Sequence, residues 1–136
     1  MGSALSYFLG TAEAAAAEGP PSGNFAGVTA FHSSNRWQLH FNSAKDSPQL
    51  MVIDFAATWC GPCKFMEPVI QNLASKYTDV QFVKLDVDEL PEVAQEYMVQ
   101  GMPTFVLVKR GKEVDRVMGA DQNDLERKVL KHRSSE

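Results

Sequence analysis

The sequence predicts an α/β fold with a mixed central β-sheet flanked by helices, in the order βαβαβ and then ββα. Three observations point to it. Residues 50–57 are nearly all apolar, the pattern of a central strand covered on both faces. Short apolar runs alternate with segments of helical spacing, which is how strand–helix–strand units read. Finally, two strand-like runs flank a turn at Arg110-Gly111-Lys112, which reads as a hairpin.

Each element has a local reason. Val28 to Phe31 reads as a short strand. A helix follows, capped by Ser33 or Ser34, with Trp37 and Phe41 on one face at i, i+4. After the strand over 50–57, a helix runs from the cysteine-containing segment to about Tyr77. Pro68 is expected to kink it, because proline removes one backbone hydrogen bond and its ring clashes with the preceding turn. Residues 80–87 are the next strand and 91–98 a short helix; 103–109 and 113–118 form the hairpin. Asp121 caps the last helix, whose Leu125, Val129 and Leu130 are expected to face inward. Met51, Met66 and Met98 read as core filler, and the three histidines as surface residues. No internal repeat is present.

The chain of 136 residues suits one domain that buries a core without metal or disulfide staples. A net charge of −4 and the lack of a basic stripe argue against nucleic acid as a partner. No run approaches the length of a transmembrane helix. Two cysteines do not make the multi-bridge framework of a small secreted domain, so a reducing compartment, the cytoplasm, is expected. Asp86, Asp88 and Glu89 read as a solvated strand end in preference to a metal site, and a monomer is expected.

Residues 1–28 differ from the rest. They contain Ala14-Ala15-Ala16-Ala17, then Gly19-Pro20-Pro21-Ser22-Gly23, and no Lys or Arg, which reads as a flexible extension before a domain over 29–136. The missing positive charge speaks against a secretory signal or a transit peptide. Met1-Gly2-Ser3-Ala4-Leu5-Ser6 does match the N-myristoylation pattern, which makes Gly2 a lipidation candidate, although many soluble proteins begin Met-Gly. One myristoyl chain supports only marginal membrane binding, on the order of 10⁴ M⁻¹. A second signal is absent, since no cysteine is nearby and Glu13 and Glu18 would be repelled by anionic lipid. Weak membrane association is therefore expected only if Gly2 is acylated.

Both cysteines lie in one run, Trp59-Cys60-Gly61-Pro62-Cys63, between the apolar strand and the long helix. Backbone N–H groups and the helix dipole favour an anion there, so Cys60 should ionise easily, and the thiolate is the reactive form. Cys60 is expected to be the exposed sulfur and Cys63 the shielded one. Three other readings stay open. The pair could be half of a zinc site, with only His32, His40 and His132 as further ligands. It could be a structural bridge, though so short a loop gains little from closure. It could also be an inert buried pair. Gly61 and Pro62 place no charge between the sulfurs, which favours a reductase over an oxidase or isomerase. Lys64 either helps to hold the thiolate or is an ordinary solvated lysine.

Asp54, within the apolar strand, needs a reason to be there. Burial would raise its pKa and let it accept a proton when Cys63 becomes a nucleophile; the competing reading pairs it structurally with Lys84.

These residues carry a family resemblance. The run from Trp59 to Cys63, Asp54 six residues before Cys60, Pro68 five after Cys63, Met102-Pro103-Thr104, and Gly119-Ala120 occur in the order of thioredoxins. C-x-x-C beside a βαβ pattern is itself the recognised signature of that family. From about Thr29 to its end the chain resembles the h-type thioredoxins of plants.

The resemblance implies the thioredoxin fold and a general protein-disulfide reductase, reduced by NADPH-dependent thioredoxin reductase and acting on oxidised target proteins. No bound cofactor is implied, because the Cys60–Cys63 dithiol is the redox group. It also implies that Asp54 acts through water and that the Met102–Pro103 bond is cis. Trp59, Gly61, Pro62, Met102, Pro103, Gly119 and Ala120 would line a shallow surface where an extended target segment lands. Two rival functions remain: a reductase fed by glutathione and glutaredoxin, and a binding module whose dithiol gates partner affinity.

Overall fold

The computed structural model describes residues 22–25 and 27–133. The lipidation candidate Gly2 and the rest of residues 1–21 lie outside the described residues. In chain order the elements are β1 (Ser22–Phe25), β2 (Val28–Phe31), α1 (Ser34–Ala44), β3 (Met51–Ala56) and α2 (Gly61–Lys76). They continue with β4 (Gln81–Asp86), α3 (Pro91–Glu96), β5 (Thr104–Lys109), β6 (Lys112–Met118) and α4 (Gln122–His132). The strands form one sheet in the order β1-β2-β4-β3-β5-β6. β4 runs parallel to both β2 and β3, while β5 and β6 run antiparallel, so the sheet is mixed as expected.

β3 sits in the middle and is buried along its whole length. Successive side chains of a strand point to opposite faces. Met51, Ile53 and Phe55 accordingly join a cluster with Trp37 of α1 and Val93 of α3. Val52 belongs to the other layer, with Met66, Ile70 and Leu73 of α2 and Leu125 and Val129 of α4. The same alternation turns Asp54 and Ala56 toward α2.

Local signals account for the helix ends. The Ser33 Oγ accepts from the Arg36 N–H at 3.2 Å and Asp121 Oδ1 from the Asp124 N–H at 3.0 Å, each satisfying an orphan donor of a first turn. α2 continues through Pro68 to Lys76. In the β5–β6 hairpin Arg110 (φ 54°) and Gly111 (φ 79°) are both left-handed, as a two-residue turn requires to match strand twist.

Three expectations are corrected. β1 was expected to be part of the extension; it forms an antiparallel pair with β2 across Gly27 (φ 86°), although Ser22-Gly23-Asn24 has little strand propensity of its own. Leu130 is 50% exposed, because it lies one residue past Val129 and so about 100° round the helix from the buried face. Met98 is no core filler: it is 74% exposed at φ 54°, just past the end of α3. Of the histidines, His40 is half-buried against Gln81 and His132 against Asp115.

The inward face of α4 can be tested directly. Leu125→Ala is expected to destabilise the fold by about 2–5 kcal/mol. Leu130→Ala is expected to stay within about 0.5 kcal/mol. Urea unfolding midpoints would distinguish them, and equal losses would contradict the packing described.

Candidate active site

The C-terminal end of β3 delivers the chain to the start of α2, and Cys60 is the N-cap residue of that helix. Its Sγ accepts a hydrogen bond from the Cys63 N–H at 3.1 Å, so an orphan backbone donor is aimed at this sulfur. The same N–H and the helix dipole would stabilise a Cys60 thiolate. Pro62 falls in the first helical turn, where its missing N–H costs nothing. Cys60 and Cys63 are joined as a disulfide, with Cα atoms 5.3 Å apart, so this is the oxidised state of the pair.

Exposure does not separate the two sulfurs as expected. Each cysteine is only 5% exposed, in one apolar cluster with Ala56 and Ala57 against which Val87 and Met102 pack. What distinguishes them is their place: Cys60 faces the helix entrance as cap, and Cys63 lies inside the first turn. The two further ligands that zinc would require are not supplied by the histidines, which engage Glu89, Gln81 and Asp115. Among the described residues, no three His, Cys, Asp or Glu side chains come together as a metal site.

Asp54 is 6% exposed, and its Oδ1 has no protein hydrogen-bond partner. Burial pushes its carboxyl from the usual 3.8 up to about 7, while the Lys84 ammonium pulls the other way and the Glu67 carboxylate adds to the rise. Lys84 is its register partner on β4, but the Lys84 Nζ pairs with Glu67 Oε2 at 3.0 Å. The structural Asp54–Lys84 pair considered from the sequence is therefore absent, and Lys84 acts on Asp54 only through its field. A cavity of about 100 Å³ adjoins Asp54. That exceeds the roughly 10–15 Å³ a water molecule needs.

The Met102–Pro103 bond is cis, and Met102 packs against the cluster that holds the dithiol. The Pro103 carbonyl accepts from the Gly119 N–H at 2.8 Å, and Thr104 Oγ1 donates to the Gly101 carbonyl at 2.7 Å, which ties this loop to the end of β6. Gly119 has φ 102°, which disfavours any side chain there even though a Cβ would meet open space. Met102, Pro103 and Gly119 line one groove of about 360 Å³, and Ala120 is exposed beside it. Gly61 and Pro62 are exposed at the start of α2, and Trp59 is 67% exposed.

Several site features were not legible beforehand. The Trp59 indole N–H donates to Asp88 Oδ2 at 2.8 Å, and Asp86 Oδ1 accepts from the Asp88 N–H at 2.7 Å, so this acidic strand end steadies the tryptophan. Met98 and Met118 add apolar walls to the groove. Alternation along β6 could have flagged Met118, one residue past the inward-facing Val117.

Comparison with known proteins agrees with this geometry. The Thioredoxin family profile matches residues 29–131. Thioredoxin H2 of Arabidopsis thaliana is 57% identical over 134 residues, which is 98% of this chain and 100% of that protein. The crystal structure of thioredoxin NaTrxh from Nicotiana alata superposes with a TM-score of 0.80 at 66% identity, covering 83% of this chain and 98% of that one. A structure described as the basis of thiol resolving in yeast mitochondrial 1-Cys peroxiredoxin via glutathione/thioredoxin systems gives 0.70 at 38% identity, over 80% and 99% of the two chains. An N-capping cysteine, its partner one turn on, a cis Met102–Pro103 bond and these relatives lead to one conclusion: the chain belongs to the thioredoxin family as an h-type thioredoxin, a disulfide reductase with Cys60 and Cys63 as its active-site pair.

Proposed function

We propose that this reductase receives electrons from NADPH through thioredoxin reductase, passes them to oxidised proteins, and uses Asp54 as the base of the second chemical step. The observation that carries the reading is the Cys63 N–H aimed at Cys60 Sγ at the helix start. The Cys60 thiolate attacks one sulfur of the target disulfide, forming a mixed disulfide and releasing the other target sulfur as a thiolate. Cys63 then loses its proton toward Asp54, with water in the adjoining cavity as the carrier. The Cys63 thiolate attacks Cys60 Sγ, which closes the Cys60–Cys63 bond and frees the second target thiolate. The target gains two electrons, and its thiolates take up two protons, one of them the proton passed to Asp54. Two electrons from thioredoxin reductase reopen the bridge.

The landing surface follows from the same arrangement. An extended target segment would lie across Met102 and Pro103 in the groove that Gly119 also lines, with Trp59, Gly61, Pro62 and Ala120 as further exposed contacts. Shape and main-chain pairing do the recognising, so many sequences fit. No helix among the described residues is long and apolar enough to cross a membrane. Cytoplasmic action fits the low cysteine content, with membrane contact arising only if Gly2 is acylated.

The buried carboxyl also links stability to pH. Below about pH 3 Asp54 is protonated in folded and unfolded chains alike, and it contributes no pH dependence there. As pH rises toward 7 the unfolded chain releases this proton first, so stability falls progressively and the loss is complete above about pH 7. At 1.36 kcal/mol for each pH unit, the loss is on the order of 4 kcal/mol.

With NADPH, thioredoxin reductase and insulin, the protein is expected to drive rapid NADPH oxidation, and Cys60→Ser to abolish it. No consumption by the native chain would move the electron source to glutathione. Cys63→Ser is expected to accumulate the mixed disulfide with target, seen as a band that reductant removes on non-reducing gels. Asp54→Asn is expected to slow turnover and to stabilise the fold by up to about 4 kcal/mol above pH 7 but not below about pH 3. Unchanged turnover in that variant would end the case for Asp54 as base.

A further inference from the structure

The cavity beside Asp54 is lined by Val28 and Ala30 of β2, Glu67, Ile70 and Gln71 of α2, and Lys84 of β4. Only Glu67 and Lys84 bring charge to it. β2 contributes apolar side chains alone, and the β5 residue in register with Asp54 is Phe105. Lys84 is directly opposite Asp54 in the parallel register and is its natural counter-ion. Its ammonium instead lies 3.0 Å from Glu67, and Asp54 Oδ1 is left without a partner. Glu67 and Lys84 also border a second cavity of about 270 Å³, with Ala57, Thr58, Lys64 and Asp86, which Asp54 does not line. The ion pair thus stands between Asp54 and that outer opening.

As a stabilising contact the pair is weak. The two side chains are 34% and 48% exposed, so solvent screens most of their attraction. Its geometry matters more for the carboxylate behind it. An ammonium paired to Asp54 would favour the anion and make it a poorer base. Glu67 competes for that ammonium from the outside.

We propose that Glu67 is a positioning residue for the resolving step: it holds the Lys84 ammonium at the cavity mouth, so the buried Asp54 carboxylate stays free to take the Cys63 proton. The proposal rests on the reading of Asp54 as base. Glu67 touches neither substrate nor sulfur and acts through Lys84.

The test uses the reduced full-length chain and two readouts. The Asp54 carboxyl-carbon NMR resonance is titrated with pH. Resolution is followed by stopped flow with a chromogenic aromatic disulfide, whose second thiolate is released only when Cys63 attacks. In Glu67→Gln the Asp54 midpoint is expected to fall by about one pH unit, and the acid limb of the second phase to follow it. In a Lys84→Met background the same substitution is expected to move both by less than half as much. A change confined to the urea midpoint would show an ordinary surface pair and overturn the proposal. So would an equal titration shift with and without Lys84. A moved titration with an unmoved second phase also overturns it, and Asp54→Asn then assigns the fault: a slowed second phase in that variant faults Glu67, an unslowed one the role of Asp54.

Discussion

β3 has a hydrogen-bonded neighbour on each edge and a helical layer on each face, so every residue in it is buried. That enclosure sets the terms for the rest of the molecule. It demands apolar side chains on both faces, which the strand supplies at every position but one. It makes the exception, Asp54, a carboxyl that resists ionisation. It also fixes where the chain emerges, and the chain emerges as Ala57 to Cys60 at the mouth of α2. A reactive sulfur on a helix cap and a reluctant acid behind it are both products of burying one strand completely.

Two apolar layers make this arrangement affordable in energy. Large side chains such as Trp37, Phe55, Phe82 and Phe105 are almost wholly enclosed. Each contributes about 1.5–3 kcal/mol by leaving water. The deficit from Asp54 near neutral pH is comparable to one or two of these. A fold of this size can carry that load at a single position, and the position it occupies is next to the chemistry.

Much of this was legible in the sequence, for identifiable reasons. β3 announced itself because a two-sided strand leaves an unbroken apolar run, and Ser33 and Asp121 because caps are local chemistry. The dithiol and the cis-proline segment were carried by short contiguous motifs. What stayed hidden depends on distance in space or on angle. Leu130 is as apolar as Leu125, and only the pitch of α4 exposes it. β1 is a strand because β2 is there to pair with it. The left-handed backbone at Met98 is set by how α3 ends. The choice of Glu67 over Asp54 as partner for Lys84 required three elements to be assembled first.

The groove beside the cis-proline has walls of Met98, Met102 and Met118, which are unbranched and readily reshaped. Such walls conform to whatever lies against them and so discriminate poorly among side chains. A client must still bring its disulfide down onto a sulfur that is itself nearly covered. In the proposed docking, selection then falls on the client's own mechanics, on how readily a stretch of its chain can peel away and lie flat. On that proposal, a thioredoxin built this way reads the local looseness of other proteins more than their sequences.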